Sequence, residues 1–298
     1  MKADWQLRSR QFVIGERTLI MGVVNITQDS FSDGGLFLDP ERAAEHALQL
    51  LDEGADLLDL GAESTRPGSL AGDAMAAVTS EEEQARLLPV LEALLKARPG
   101  AVLSVDTYKS TTARAAVAAG AEIVNDVSGF CWDPQMAAVC ARLRCGVVLM
   151  HTRGRPEEWR TQPALSSDTM LAMVHDGLAA SMSLALDVGV APEAIVLDPG
   201  YGFGKKFDEN YNLLVRQGEL LSLGRPLLAG VSRKSFLTRT LSRTITSAGG
   251  PASEDARETA SIAAMVAAIL HGASVVRVHG VRAAVEAAAI ADAILMAG

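Results

Sequence analysis

Apolar residues fall into short runs, each followed by a polar, glycine-containing loop and then by a longer stretch of helical periodicity. The runs cover residues 19–24, 57–60, 102–105, 122–124, 146–150, 194–197, 226–229 and 274–278. They are brief, rich in β-branched residues and mostly without alternation, as in parallel strands buried on both faces. Upstream, Phe12-Val13-Ile14 reads as a short strand or hairpin turning at Gly15-Glu16.

The helical stretches carry start signals. Asp39-Pro40 and Asp133-Pro134 each place an N-cap before a proline at the first helical position. Ser80 followed by Glu83 reads as a capping box. Two Ala-rich helices are predicted near the end, over about 254–270 and 281–296. Eight strand–helix units in succession predict a closed (β/α)8 TIM barrel with a short N-terminal strand or hairpin. An open doubly wound sheet is the alternative. No Gly-, Pro- or Ser-rich linker divides the chain, and residues 246–253 read as a surface loop, so one domain over 1–298 is expected.

Composition narrows the class. Of 298 residues, 49% are hydrophobic and 21% charged, which supports a core and argues against disorder. A net charge of −9 argues against nucleic acid or an anionic membrane as partner, since both need a basic face. It leaves open a small anionic ligand in one pocket. Cys131, Cys140 and Cys145 match no zinc framework and read as idle thiols of a reducing compartment. The N-terminus is polar, and the longest apolar run, 260–270, is too short to span a bilayer. A soluble cytoplasmic protein is expected.

The residues that follow the strands carry the chemistry, because in a barrel those ends share one mouth. They are Asn25; Asp59 and Glu63; Asp106; Asn125 and Asp126; His151; Asp198; Ser232-Arg233-Lys234; and Arg277 with His279. Asp106, Asn125 and Asp198 can hold a flat heterocycle with several N–H groups. Structural ion pairs are the competing reading. Lys234, Arg277 and His279, with Arg66 in the second loop, suit a phosphate or pyrophosphate. His151 reads as a hydrogen-bonding residue, because no second ligand stands at zinc spacing. The run Asp198-Pro199-Gly200-Tyr201-Gly202-Phe203-Gly204-Lys205 is neither a Walker A loop nor a dinucleotide fingerprint. It reads as a close-approach loop, with Phe203 able to stack on a ring.

Residues 25–35, Asn-Ile-Thr-Gln-Asp-Ser-Phe-Ser-Asp-Gly-Gly, resemble the first signature of the dihydropteroate synthases. Residues 61–68, Gly-Ala-Glu-Ser-Thr-Arg-Pro-Gly, resemble the second. The Asp198 segment, Ser232-Arg233-Lys234-Ser235 and Arg277-Val278-His279 resemble later elements. The likeness runs from about residue 12 to 296. It implies a (β/α)8 barrel that joins 4-aminobenzoate to 6-hydroxymethyl-7,8-dihydropterin diphosphate, releasing pyrophosphate with Mg²⁺ as cofactor. A homodimer and a sulfonamide target are also implied.

By that resemblance Asn25 would ligate Mg²⁺ together with diphosphate oxygens. Asp106, Asn125, Asp198 and Lys234 would hold the pterin, with Met150 and Phe203 packing on it. Thr65, Arg66, Arg277 and His279 would surround the diphosphate. Phe31, Pro67 and Ser235 would shape the aminobenzoate pocket. Lys234, Arg277, Asp106 and Asp198 would be the catalytic set. Gln28 stands where the family usually has proline, and Gly280 where an Asp is common. A pterin-binding methyltransferase domain shares the barrel and the carboxylates, but it does not need the two anion-handling loops. A catalytically silent pterin-binding paralogue is a further alternative, against which the intact Asn25, Arg66, Lys234 and Arg277 argue.

Overall fold

Two short strands open the chain, β1 (Ala3–Gln6) and β2 (Gln11–Ile14), paired antiparallel with Trp5 opposite Phe12. Their turn lies at residues 7–10, where the Leu7 N–H donates to the Arg10 carbonyl at 2.8 Å. The chain bends at Gly15-Glu16 as expected, with Gly15 at φ 94°, but that bend leads from β2 into the barrel and is not the hairpin turn. Trp5, Leu7 and Ile14 are fully buried. Trp5 and Leu7 stand two apart among the polar residues Asp4, Gln6 and Arg8, an alternation that marks the first strand.

The eight apolar runs become β3 (Leu19–Asn25), β4 (Leu57–Gly61), β5 (Leu103–Asp106), β6 (Ile123–Asp126), β7 (Gly146–Met150), β8 (Ile195–Asp198), β9 (Leu227–Ala229) and β10 (Ala273–Val278). They form a closed barrel, every neighbour parallel, with β10 beside β3. The computed structural model describes residues 3–26, 40–64, 71, 77–245 and 253–297.

Helices α1 (Pro40–Asp52), α2 (Ser80–Ala97), α3 (Ser110–Ala118), α4 (Met136–Leu143), α5 (Ser167–Asp187), α6 (Phe207–Arg216), α7 (Ser235–Ile245), α8 (Glu254–Leu270) and α9 (Val281–Ala297) occupy the connections. Two stand between β9 and β10, so α7 is an addition to the eight-unit count. The cap of α2 is Thr79, which accepts from the Glu82 N–H, while the Glu82 carboxylate accepts from the Thr79 N–H. The expected pair, Ser80 and Glu83, is shifted by one. Adjacent hydroxyls and a run of acids permit both registers, and burial of Glu83 in the interior selects this one. Helix α4 likewise begins after Asp133-Pro134. The Asp133 carboxylate instead accepts from Ser110 and Gln135 N–H groups, each at 2.8 Å, so it caps α3.

Helix α5 is long and apolar enough by composition to cross a bilayer. Here it lies on the barrel, burying Met170, Leu171, Val174, Leu178, Ser181 and Ala185 at helical spacing. At the barrel floor, Trp5, Leu7 and Ile14 pack against Leu19, Met21, Leu57, Val102, Ile123 and Val148. The Trp5 indole N–H donates to the Ala194 carbonyl at 3.0 Å. The hairpin therefore plugs the N-terminal end and leaves the C-terminal end as the mouth.

Candidate functional site at the barrel mouth

Strand register sets the ligand groups side by side. Gly61 pairs with Asp106, Asp106 with Asn125, and Met150 with Asp198. Each is the last or nearly the last residue of its strand, so the side chains converge on one cavity of about 1310 Å³. Asn25, Asp106, Asn125, Met150, Asp198, Phe203, Lys234, Ser235, Arg277 and His279 all line it. Phe31, Thr65, Arg66, Pro67 and Gln28 lie outside the described residues.

Arg277 crosses the cavity floor. Its Nε donates to Asp59 at 2.6 Å and its Nη2 to Asp106 at 2.9 Å. Asp59 also accepts from the Asn125 amide at 2.9 Å and is fully buried. Burial opposes the guanidinium charge, but Asp59 and Asp106 hold Arg277 above its ordinary value. Burial also pushes the Asp106 carboxyl up to about 7, although Arg277 pulls it down. Asp198 rises for the same reason, countered by the Gly200 N–H, which it accepts at 2.7 Å, and by Lys234. Arg277, expected on the diphosphate, thus rests against Asp106, expected to hold the pterin, and against Asp59.

The loop after β8 needs its glycines. Gly200, Gly202 and Gly204 have φ of 72°, 83° and 75°, a region that side chains disfavour. A Cβ on Gly200 would stand 1.9 Å from the His151 carbonyl. That carbonyl accepts from Lys205 Nζ at 2.9 Å, and the His151 N–H donates to the Asp198 carbonyl at 2.9 Å. His151 hydrogen-bonds through its backbone; its ring Nδ1 has no hydrogen-bond partner among the described residues. Burial brings Lys205 down to about 7, against the upward pull of Asp198. Tyr201 is buried, its hydroxyl donating to Gln217 at 2.5 Å.

The Lys234 ammonium lies 4.1 Å from the centroid of the Phe203 ring. The turn that presents it has Arg233 at φ 56°, unusual outside glycine, and the Arg233 N–H is held by Ser261 at 2.9 Å. His279 Nδ1 lies 2.9 Å from the Ser232 hydroxyl. A side chain at position 280 would meet the Glu258 carboxylate, its Cβ 2.1 Å from Oε1. An acid from α8 therefore fills the space beside Gly280. Asp59 and Lys205 are the groups whose parts the sequence reading did not assign. Strand-end position was Asp59's signal, and a lysine closing a glycine-rich loop was that of Lys205.

Asn25 makes no side-chain hydrogen bond to another described residue, and no group of three His, Cys, Asp or Glu suited to a metal occurs among them. One amide oxygen fits Mg²⁺ only as a partner to phosphate oxygens and waters, the manner in which Mg²⁺ is commonly held.

Comparison with known proteins decides the family. The model described as "Pterin binding enzyme" matches residues 21–279. The dihydropteroate synthase of Mycobacterium leprae is 43% identical over 279 residues, covering 94% of each chain. The chain belongs to the dihydropteroate synthases, within the pterin binding enzymes. Two solved structures of the Xanthomonas albilineans dihydropteroate synthase agree. One, with 4-aminobenzoic acid, superposes with a TM-score of 0.85 at 39% identity, covering 99% of both chains. The other, in complex with 7,8-dihydropteroate, gives 0.81 at 37% identity, covering 98% of both. Family membership agrees with the acids, the amide and the cations that line one cavity at the mouth.

Proposed function

We propose that the chain condenses 4-aminobenzoate with (7,8-dihydropterin-6-yl)methyl diphosphate, giving 7,8-dihydropteroate and pyrophosphate. The observation that carries this reading is the convergence of Asp106, Asn125 and Asp198 with Lys234 and Arg277 in one cavity.

The bond that breaks joins the pterin methylene carbon to the diphosphate oxygen, and the bond that forms joins that carbon to the aniline nitrogen. Asp106, Asn125 and Asp198 accept and donate along the pterin edge, and Met150 and Phe203 pack on its faces. Negative charge at Asp198 and Asp106 stabilises positive charge developing on the ring system. Arg277 and His279, with Thr65 and Arg66, bind the departing diphosphate. Mg²⁺, with Asn25 as its protein ligand, supplies charge neutralisation to the leaving group when bound. Lys234, standing over Phe203, orients the two substrates, and Phe31, Pro67 and Ser235 bound the aminobenzoate side. The aniline nitrogen is nucleophilic without a strong base.

Exposed apolar side chains on α9, with Ile290 66%, Ile294 53% and Met296 73% exposed, support a homodimer through this helix. The three cysteines are free, in keeping with a reducing cytoplasm. A coupled assay of pyrophosphate release, with both substrates and with or without Mg²⁺, tests the reaction. Absence of release with Mg²⁺ present overturns it.

A further inference from the structure

The β4–α2 connection begins at Ala62 and returns to helix at Ser80, and it carries Thr65, Arg66 and Pro67. Glu63 stands at its start. One oxygen of Glu63 accepts from the Val78 N–H at 3.2 Å, at the other end of the same connection. The second pairs with the ammonium of Lys109, which also lies 3.3 Å from Glu83. Lys109 is three residues after Asp106, on the turn leading to α3. The side chains of Lys109, Glu63 and Glu83 are only 13%, 6% and 1% exposed.

The surroundings fix this cluster from three sides. Arg86 on α2 donates to the Ala62 carbonyl at 3.2 Å, and Thr112 on α3 donates to Glu83 at 2.7 Å. Tyr108 lies beneath the Lys109 ammonium, 4.4 Å away, and packs with Val127, Met150 and Ala71. Ala71 belongs to the β4–α2 connection, whereas Met150 borders the expected pterin site.

We propose that the Lys109–Glu63 ion pair is a positioning device that holds the described ends of the β4–α2 connection, residues 62–64 and 77–79, against the turn bearing Asp106, and so aligns the two substrates. This rests on the function proposed above. A buried pair serving stability alone is replaceable by apolar groups of similar volume. This one joins two segments that each carry ligand groups, and substrate alignment is sensitive to small displacements.

The test uses the full chain with Lys109→Met, Glu63→Gln, the double variant, Lys109→Arg, and Glu83→Gln. Glu83 touches Lys109 but not the connection, so it reports the purely structural effect. KM for each substrate, kcat and Tm are measured. Lys109→Met and Glu63→Gln are expected to raise the aminobenzoate KM at least about tenfold, near 1.4 kcal/mol. The pterin diphosphate KM is expected to change much less, and the double variant to be no worse than either single one. Lys109→Arg restores the aminobenzoate KM, and Glu83→Gln lowers Tm alone. Should Lys109→Met fail to fold, Lys109→Arg against Glu63→Gln makes the same comparison. Variants that move Tm but neither KM, or additive effects in the double variant, overturn the inference while wild-type turnover stands. No turnover in wild type overturns the function and this inference together.

Discussion

Arg277 and Asp59, 218 residues apart, meet at 2.6 Å beneath the mouth. Asp59 has no exposed surface, so it reaches a ligand only through Arg277 and Asn125, which it orients. Asp59→Asn preserves the volume, and its one oxygen can still accept from both donors, but it removes the negative charge that faces Arg277. Turnover is expected to fall at least about tenfold, roughly 1.4 kcal/mol of barrier. Asp59→Ala leaves a buried guanidinium short of a partner and should cost about 3–5 kcal/mol of stability. Steady-state kinetics with urea unfolding checks both.

Asp106→Asn and Asp198→Asn are each expected to cut turnover more than stability, through loss of a charged hydrogen bond of about 1.5–3 kcal/mol. For Asp106 the sign with pH follows from its raised value. Between its ordinary 3.8 and about 7, the folded state holds a proton that the unfolded state has released. Its contribution to stability is therefore lost as pH rises through that window, at up to about 1.4 kcal/mol per pH unit. Relative to wild type, Asp106→Asn should be more stable at pH 8 than at pH 5. A pH-independent difference in urea midpoints would contradict this.

Lys234 offers a point charge over Phe203. Lys234→Arg keeps the charge but replaces a compact donor with a planar fork, and Lys234→Gln keeps a donor without charge. If the ammonium bridges both substrates, both variants lose at least about tenfold in turnover. A near wild-type Arg variant would show that Lys234 supplies only diffuse positive charge.

Gly200 and Gly202 share a left-handed backbone but not the same surroundings. At Gly202 the nearest atom to a Cβ is a Lys234 side-chain carbon at 3.5 Å, so Gly202→Ala should cost only backbone strain, about 1–2 kcal/mol. Gly200→Ala drives a methyl into the His151 carbonyl and should cost more than about 3 kcal/mol, with loss of pterin binding. Thermal melts and pteroate titration of the two variants separate these cases.

The barrel was legible because each strand is a short apolar run with polar residues at or just beyond its end, as Leu103–Asp106 shows. The meeting of the ten described site candidates in one cavity was legible from their places at or just after the strand ends. What stayed hidden depends on contacts distant in sequence. Asp59 gains its role only from Arg277, and Glu63 from Lys109 and Val78. Thr79 and Ser80 compete for one cap, and only the inward turn of Glu83 decides between them. Helix α7 was missed because an eight-unit count asks for only one helix between β9 and β10, although its sequence is strongly amphipathic; it places Ser235, Thr238 and Arg239 on the cavity wall.

The plug of Trp5, Leu7 and Ile14 has a consequence for traffic. A barrel stoppered at its base is a blind alley with one door. Substrates, product and solvent must all pass the same rim, and the last molecule in stands in the way of those beneath it. A compound lodged near Ser235 and Phe203 thus imprisons whatever rests on Asp106 and Asn125.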